Sequence, residues 1–430
     1  MVRIFFNTIG CRTNQYETAV LKSFFGKMPE FQTVSNAENA DIAVINTCTV
    51  TENSDSDTRK SVHRLVRLNP KIRIALTGCQ AQLQPDLLKK LPNVHWVIGN
   101  KEKFNLPRII HSHLVPVNPV ILTPAMDSAR PFTVAMPGIN PDVTRANIKI
   151  QDGCNNFCTY CEVPFARGPA RSRIFKDILN EAEELAERGY QELVLTGINI
   201  GAYDFKGKNL IDIINSLENI DLIKRVRISS IEPTQILESL INHMAQSKKL
   251  CRFLHVPLQH GQNTILKKMG RRYAAEDASR LIRKAKDTVK DICIGTDVIV
   301  GFPGETEKHF QALIDFLTSE PVDYFHVFSF SDRPNAKAGH YKNQVKTETI
   351  RSRSETLRAL SLRKRGHFYN SQLGLVTSVL FEQRKDGEWK GLTDNFIPVS
   401  VISNSNLKNK FRRVKLIRVR GQIMRGEVIH

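Results

Sequence analysis

The stretch Ala146–Cys161, ANIKIQDGCNNFCTYC, decides how this chain is read. Ala146–Ile150 predicts a strand, and Cys154, Cys158 and Cys161 follow it directly in a CxxxCxxC loop. Three thiolates at those offsets can wrap one face of an iron–sulfur cubane and leave its fourth iron without a protein ligand. Structural zinc, the competing use of such cysteines, wants four ligands, and no fourth Cys or His lies close in this loop. An open iron can chelate the amino and carboxylate groups of the methionyl part of S-adenosylmethionine, beside a reductant. One electron then breaks a carbon–sulfur bond and releases a 5′-deoxyadenosyl radical.

Outward from the loop, the chain from about 145 to 330 alternates strands with helices. Further strands are expected near Glu192–Thr196, Arg225–Ser230, Phe253–Pro257, Thr296–Val300 and Tyr324–Phe328. Helical periodicity fills the gaps at Lys176–Arg188, Pro233–Met244, Ala275–Val289 and Glu305–Leu317. Six such units make a partial (β/α) barrel, and the cysteine loop sits after the first strand, where barrel chemistry is expected.

Upstream, apolar runs at Val2–Phe6, Ile42–Ile45 and Ile72–Leu76 alternate with helix-like segments at Tyr16–Lys27 and Ser56–Leu68, which predicts a separate parallel-sheet α/β domain. Cys11, Cys48 and Cys79 each come just beyond one of these strands. If the strands are parallel neighbours, the three thiols converge at one sheet edge and suit a second cluster with its own open iron. The plainer alternative is three buried structural cysteines. Cys251 and Cys293 lack partners at ligand spacing and are assigned to core packing. Seven prolines between Asn105 and Asp142 mark an interdomain linker.

The 62 Lys and Arg against 43 Asp and Glu leave a net charge of +19, a field that attracts polyanions such as nucleic acid. A basic helix over 351–366 precedes a strand-rich tail, which from Ser371 carries eleven Lys/Arg against five Asp/Glu. A compact basic barrel is a common scaffold for looped RNA. No run of about 18 apolar residues suggests a membrane span, and eight cysteines in such a chain fit metal chemistry in the cytoplasm better than disulfides.

An N-terminal three-cysteine domain, a radical core and a small basic β tail, in that order, resemble the methylthiotransferase family of radical S-adenosylmethionine enzymes. Matching segments are Leu195-Thr-Gly-Ile-Asn-Ile-Gly201, Ser230-Ile-Glu-Pro233, His255-Val-Pro-Leu-Gln-His-Gly261, Met269-Gly-Arg-Arg-Tyr273 and Asp297-Val-Ile-Val-Gly-Phe-Pro-Gly-Glu-Thr306. The resemblance implies two [4Fe–4S] clusters, held by Cys11, Cys48 and Cys79 and by Cys154, Cys158 and Cys161. It implies that one S-adenosylmethionine methylates sulfur and a second supplies the radical, with an electron donor such as flavodoxin or ferredoxin and a sulfur source. It also implies a C-terminal TRAM domain and tRNA as partner. The expected divisions are 1–113, a linker at 114–143, the radical core with its trailing helix at 144–369, and the TRAM-like domain at 370–430.

Within the family, Gly10-Cys-Arg-Thr-Asn-Gln-Tyr-Glu-Thr18 and Cys158-Thr-Tyr-Cys-Glu-Val-Pro-Phe-Ala-Arg-Gly168 look most like the MtaB type, which acts at C2 of N6-threonylcarbamoyladenosine beside the anticodon. Two features depart from that type: Glu162-Val163 stands where two aliphatics are usual, and Phe328–Ala338 matches only loosely. Isopentenyladenosine in tRNA, a ribosomal protein, and a non-catalytic iron–sulfur RNA-binding role are the competing readings. Cofactor contacts are expected from Gly197 and Asn199 near the methionyl end, Ser230 and Glu232 near the ribose, and Gly301 beneath the adenine. Arg171 and Arg173 are candidates for a cofactor carboxylate or an RNA phosphate.

Overall fold

Residues 1–429 are described by a computed structural model. The N-terminal strands are β1 (Val2–Thr8), β2 (Phe31–Val34), β3 (Ile42–Thr47), β4 (Arg73–Gly78), β5 (Val94–Ile98) and β6 (Val120–Leu122). They form one parallel sheet in the order β2-β1-β3-β4-β5-β6. All six residues of β3 are buried, as a strand covered on both faces requires. β1, β3 and β4 are adjacent, so the loops that follow them open at the same end of the sheet, at the point where the strand order reverses. β6 lies inside the proline-rich segment expected to be a linker. Proline is tolerated there because β6 is an edge strand that follows Pro119.

The second sheet system contains β7 (Arg145–Lys149), then the hairpin β8 (Gln151–Asp152) and β9 (Arg171–Ser172), then β10 (Glu192–Thr196), β11 (Arg225–Ile228), β12 (Phe253–His255), β13 (Cys293–Val300) and β14 (Tyr324–Ser329). The parallel trios β7-β10-β11 and β12-β13-β14 are joined by the Val226–Leu250 bridge, which makes an open half-barrel of six strands. A helix over Thr347–Ser371 leads to β15 (Val376–Lys385), β16 (Glu388–Thr393), β17 (Pro398–Val401), β18 (Phe411–Arg420) and β19 (Ile423–Val428), a closed barrel. Along β18 the pattern alternates, with Val414 and Leu416 inside and Arg412, Arg413, Lys415, Arg418 and Arg420 at the surface.

The small barrel seals the starting ends of the core strands. Arg145 pairs with Glu382 at 2.8 Å, and Arg225 and Arg227 donate to the Leu392 and Thr393 carbonyls at 3.1 and 3.0 Å. Cys251 and Cys293 pack there with Phe253, Tyr324 and Phe381, as core residues. The N-terminal domain closes the open side of the half-barrel through a buried charge network. Glu17, on the helix Arg12–Gly26, meets Lys149 at 2.7 Å and Arg167 at 2.8 Å and also pairs with Lys103. Asp152 meets the same Lys149 and Arg167 at 2.8 and 3.0 Å. Removing one member of a buried ion set leaves its partners desolvated and unneutralised, at a cost of about 3–5 kcal/mol. Glu17→Gln should therefore lower the unfolding free energy obtained from urea titration by an amount of that order, while Glu184→Gln, whose pair with Arg188 lies at the surface, should change it by less than about 1 kcal/mol.

Candidate active site

The loop after β7 is held by its own backbone and by a neighbouring turn. Gly153 has φ +70°, and a Cβ there would lie 2.0 Å from the Pro169 carbonyl oxygen, so only glycine fits. Cys154 N–H donates to the Gly168 carbonyl at 3.1 Å, Phe157 adopts a left-handed φ of 47°, and Cys161 N–H returns to the Cys158 carbonyl at 2.9 Å. Thr159 is pinned from outside, its N–H to the Met269 carbonyl and its hydroxyl to the Lys268 carbonyl, both at 2.9 Å. Burial, and then the Cys158 and Cys154 thiols, push the Cys161 thiol up to about 12. Bound iron inverts that preference by holding the thiolate.

The other triad forms as the strand order dictates. Cys11, Cys48 and Cys79 leave the ends of three adjacent parallel strands. Burial raises the Cys48 thiol to about 12, and the Cys79 and Cys11 thiols add to the shift. Two glycines make room for them. A Cβ on Gly10 would lie 2.8 Å from Cys48 Sγ, and one on Gly78, at φ +104°, would lie 2.4 Å from the Thr47 carbonyl oxygen. The donor chemistry fits a cluster at each place. Arg167 Nε donates to Cys79 Sγ at 3.3 Å, and Arg271 Nη1 donates to Cys158 Sγ at 3.5 Å. Cationic N–H donors on cluster sulfurs are what an anionic thiolate cluster takes.

A cavity of about 560 Å³ lies between the two domains. Cys11, Arg12 and Cys48 wall one side, the strand-end residues Thr196, Gly197, Ser229 and Ser230 another, and Phe253, Tyr324 and Phe396 also line it. Of the expected cofactor residues, Gly197 and Ser230 line this cavity. Asn199 is buried nearby in the chain, its N–H held by Gln151 Oε1 at 2.7 Å and its own Oδ1 unpartnered. Glu232 is paired with Arg271, which reaches Tyr160 and the Pro257 carbonyl as well, so this carboxylate stands beside the cysteine loop. Gly301 has φ +76° and packs against Ile350 of the long helix, with its N–H on Glu305 Oε2 at 3.0 Å. Arg171 and Arg173 are committed inside the protein, Arg171 to Asp152 at 2.9 Å and Arg173 to Asp177 and Glu181.

The Glu162 departure has a structural partner. Glu162 is buried and takes Arg333 Nε at 3.2 Å, the Thr49 hydroxyl at 3.0 Å and Asn335 N–H at 3.1 Å. Arg333 continues to Asp55 at 2.7 Å, so the pair clasps the loop after β14, the radical-cluster loop and the N-terminal domain together. Several site residues lay in quoted segments without a role being read for them. His255 Nε2 and His326 Nδ1 meet Asp297 Oδ1 at 2.9 and 3.1 Å on the cavity wall. Burial opposes ionisation of Asp297, and the two imidazoles outweigh it, holding the carboxyl well below the usual range. Arg12 also faces the cavity, and burial beside Arg145 and Arg227 lowers it to about 10.

These features define a class: a two-triad iron–sulfur enzyme with a half-barrel core. Residues 148–317 match the radical SAM superfamily, and residues 3–99 match the uncharacterized protein family UPF0004. Threonylcarbamoyladenosine tRNA methylthiotransferase MtaB of Bacillus subtilis is 35% identical over 97% of this chain and 94% of its own length. The protein of the same name from Aquifex aeolicus is 35% identical over 93% of this chain and 96% of its own. The tRNA-2-methylthio-N(6)-dimethylallyladenosine synthase of Methylobacillus flagellatus is 31% identical over 99% of both chains. The radical S-adenosylmethionine methyltransferase TsrM of Kitasatospora setae shares the fold alone, with a TM-score of 0.58 at 16% identity over 79% of this chain and 77% of that one.

The chain belongs to the radical S-adenosylmethionine methylthiotransferases. Its cofactors are two [4Fe–4S] clusters and S-adenosylmethionine. Anaerobic reconstitution should load about eight irons per chain, two four-iron cubanes. Gly78→Ala should reduce that to about four by displacing Thr47 and Cys79, read as iron per protein by colorimetric assay.

Proposed function

We propose that this protein replaces the hydrogen at C2 of N6-threonylcarbamoyladenosine, beside the tRNA anticodon, with a methylthio group. The observation that carries the reading is the cavity shared by the N-terminal thiols and the half-barrel strand ends. The 35% identity to two proteins named for this nucleoside supports the substrate, against 31% for the dimethylallyladenosine synthase. When bound, the cofactors supply a methyl group for sulfur and a 5′-deoxyadenosyl radical that takes the substrate hydrogen.

The chain's own residues provide the ligands and the enclosure. Cys154, Cys158 and Cys161 hold the radical cluster, and Cys11, Cys48 and Cys79 hold the auxiliary one. Gly197, Asn199 and Ser230 receive the cofactor from the strand ends, and Gly301 keeps the strand end after β13 close to the long helix. Glu232 reaches the ribose once it leaves Arg271. The paired His255, Asp297 and His326 hold their rings fixed on the cavity wall, since each imidazole shares one carboxylate oxygen. Phe396 brings the small barrel into the cavity, stacked on Phe253 at 4.4 Å. The enzyme works in the cytoplasm with a low-potential donor of the flavodoxin or ferredoxin kind and a sulfur source. No helix among the described residues is long and apolar enough to cross a membrane.

Cys158→Ala should abolish 5′-deoxyadenosine formation, whereas Cys48→Ala should retain it and lose the methylthio product. Both are read by mass spectrometry of the same reaction, and methylthio product from Cys48→Ala sinks the division of roles. The exposed face of β18 should carry the RNA. Replacing Arg412, Arg413 and Lys415 by Gln should weaken tRNA binding and flatten the slope of log affinity against log salt by up to about three.

A further inference from the structure

Arg12 is the first helical residue after Cys11, and it lines the shared cavity. Among the described residues no carboxylate lies within ion-pair distance of its guanidinium. The charged side chains around it are Arg145, Arg227 and Glu192. Glu192 is already divided between Arg225, at 3.2 Å, and Arg227, at 2.8 Å. Arg227 also donates to the Asp394 and Thr393 carbonyls. Arg145 pairs with Glu382 through Nε, and its Nη1 is buried without a partner. Of these guanidiniums Arg12 and Arg227 line the cavity, and Arg12 is the one of the two without a carboxylate partner.

A half-buried cation with no counterion has lost part of its hydration, and that cost is recovered when an anion enters. A guanidinium fits a carboxylate in a two-bond fork. The cavity also offers flat aromatic surfaces, with Phe253 and Phe396 stacked at an interplanar angle of 24° and Tyr324 within 6.2 Å of Phe396. Its 560 Å³ is in the range of sites that enclose a substituted nucleobase. The one acid on the cavity wall, Asp297, is already held by His255 and His326, at 2.9 and 3.1 Å. Nothing fixed in the wall therefore competes with an incoming anion for Arg12.

We propose that Arg12 is a specificity-determining residue that receives an anionic group carried by the substrate nucleobase. Resting on the threonylcarbamoyladenosine reading, that group is the threonyl carboxylate. Arg145 and Arg227 stand behind it as a fixed positive field, and the aromatic rings hold the base. A dimethylallyl side chain brings no charge and leaves Arg12 unpartnered, so the site selects the acid-bearing nucleoside.

The test compares anticodon stem-loop RNAs that differ only at one nucleoside: the threonylcarbamoyl acid, its carboxamide, and the dimethylallyl form. Wild-type holoenzyme should favour the acid over the carboxamide by about 10- to 100-fold in kcat/KM, the worth of one charge-assisted contact. Arg12→Gln should bring that ratio close to one, and Arg12→Lys should restore part of it. The ratio is internal to each enzyme, so a cluster or folding defect, which lowers both substrates alike, does not move it. A wild-type enzyme that treats acid and carboxamide equally overturns the proposal while leaving the substrate reading intact. An Arg12→Gln enzyme that keeps the full ratio overturns it too, whether its KM rises for both RNAs, as for a phosphate contact, or for S-adenosylmethionine, as for the cofactor carboxylate. Conversion of the dimethylallyl RNA alone sinks both the proposal and the substrate reading.

Discussion

The structure depends on a buried charge network in which Glu17 of the N-terminal domain meets Arg167, Lys149 and Lys103, with Asp152 sharing two of the same cations. Separately, the two domains would each expose unpaired charge, so the network is an instruction about docking as much as a store of stability. It also reaches the chemistry, because Arg167, which pairs with Glu17, donates to Cys79 Sγ. The outcome favours a cationic surplus, since four cations, Lys103, Lys149, Arg167 and Arg171, close around two carboxylates. That surplus suits the anionic thiolates beside it, where neutral packing would not. A second clasp, Glu162 with Arg333, Thr49 and Asp55, ties the N-terminal domain to the radical-cluster loop and to the loop after β14.

Between these clasps lies a cavity walled by Cys11 and Cys48 of one triad and by the half-barrel strand ends. Strand order alone accounts for the N-terminal triad, because β1, β3 and β4 are neighbours and a cysteine stands within three residues of the end of each. Sequence distance is no guide to the result. Cys48 Sγ nearly touches the position a Gly10 side chain would need, 38 residues away, and Thr47 crowds Gly78 in the same manner. The small barrel serves twice: it presents a basic outer strand, and it sends Phe396 into the cavity from the opposite face.

Local patterns in the sequence carried much of this. The six core strands, the three strand-end cysteines and the radical loop follow from apolar periodicity and cysteine spacing, both properties of a few consecutive residues. The helix expected from Tyr16 begins at Arg12, because the strand-end turn after Cys11 is short and Arg12 occupies its first helical position. β2, β5 and β6 went unread: β2 has one buried residue in four, and β6 follows a proline in a segment without periodicity. Pairings between distant residues were not legible. Arg173 reads as a candidate anion-binding residue in sequence and is closed off by Asp177 and Glu181, whereas Arg12 carries no role in sequence and lines the cavity. Glu162 read as a departure and proved to be half of an interdomain clasp.

The central claim is that two clusters open onto one substrate cavity. Crystals of the anaerobically reconstituted enzyme, measured at the iron absorption edge, test it most directly. The account predicts two cubane-sized peaks of anomalous density, one on Cys11, Cys48 and Cys79 and one on Cys154, Cys158 and Cys161, each with its unligated iron turned toward the cavity lined by Arg12. A single peak in fully reconstituted protein, or a second cluster with a fourth protein ligand closing its iron, would contradict it.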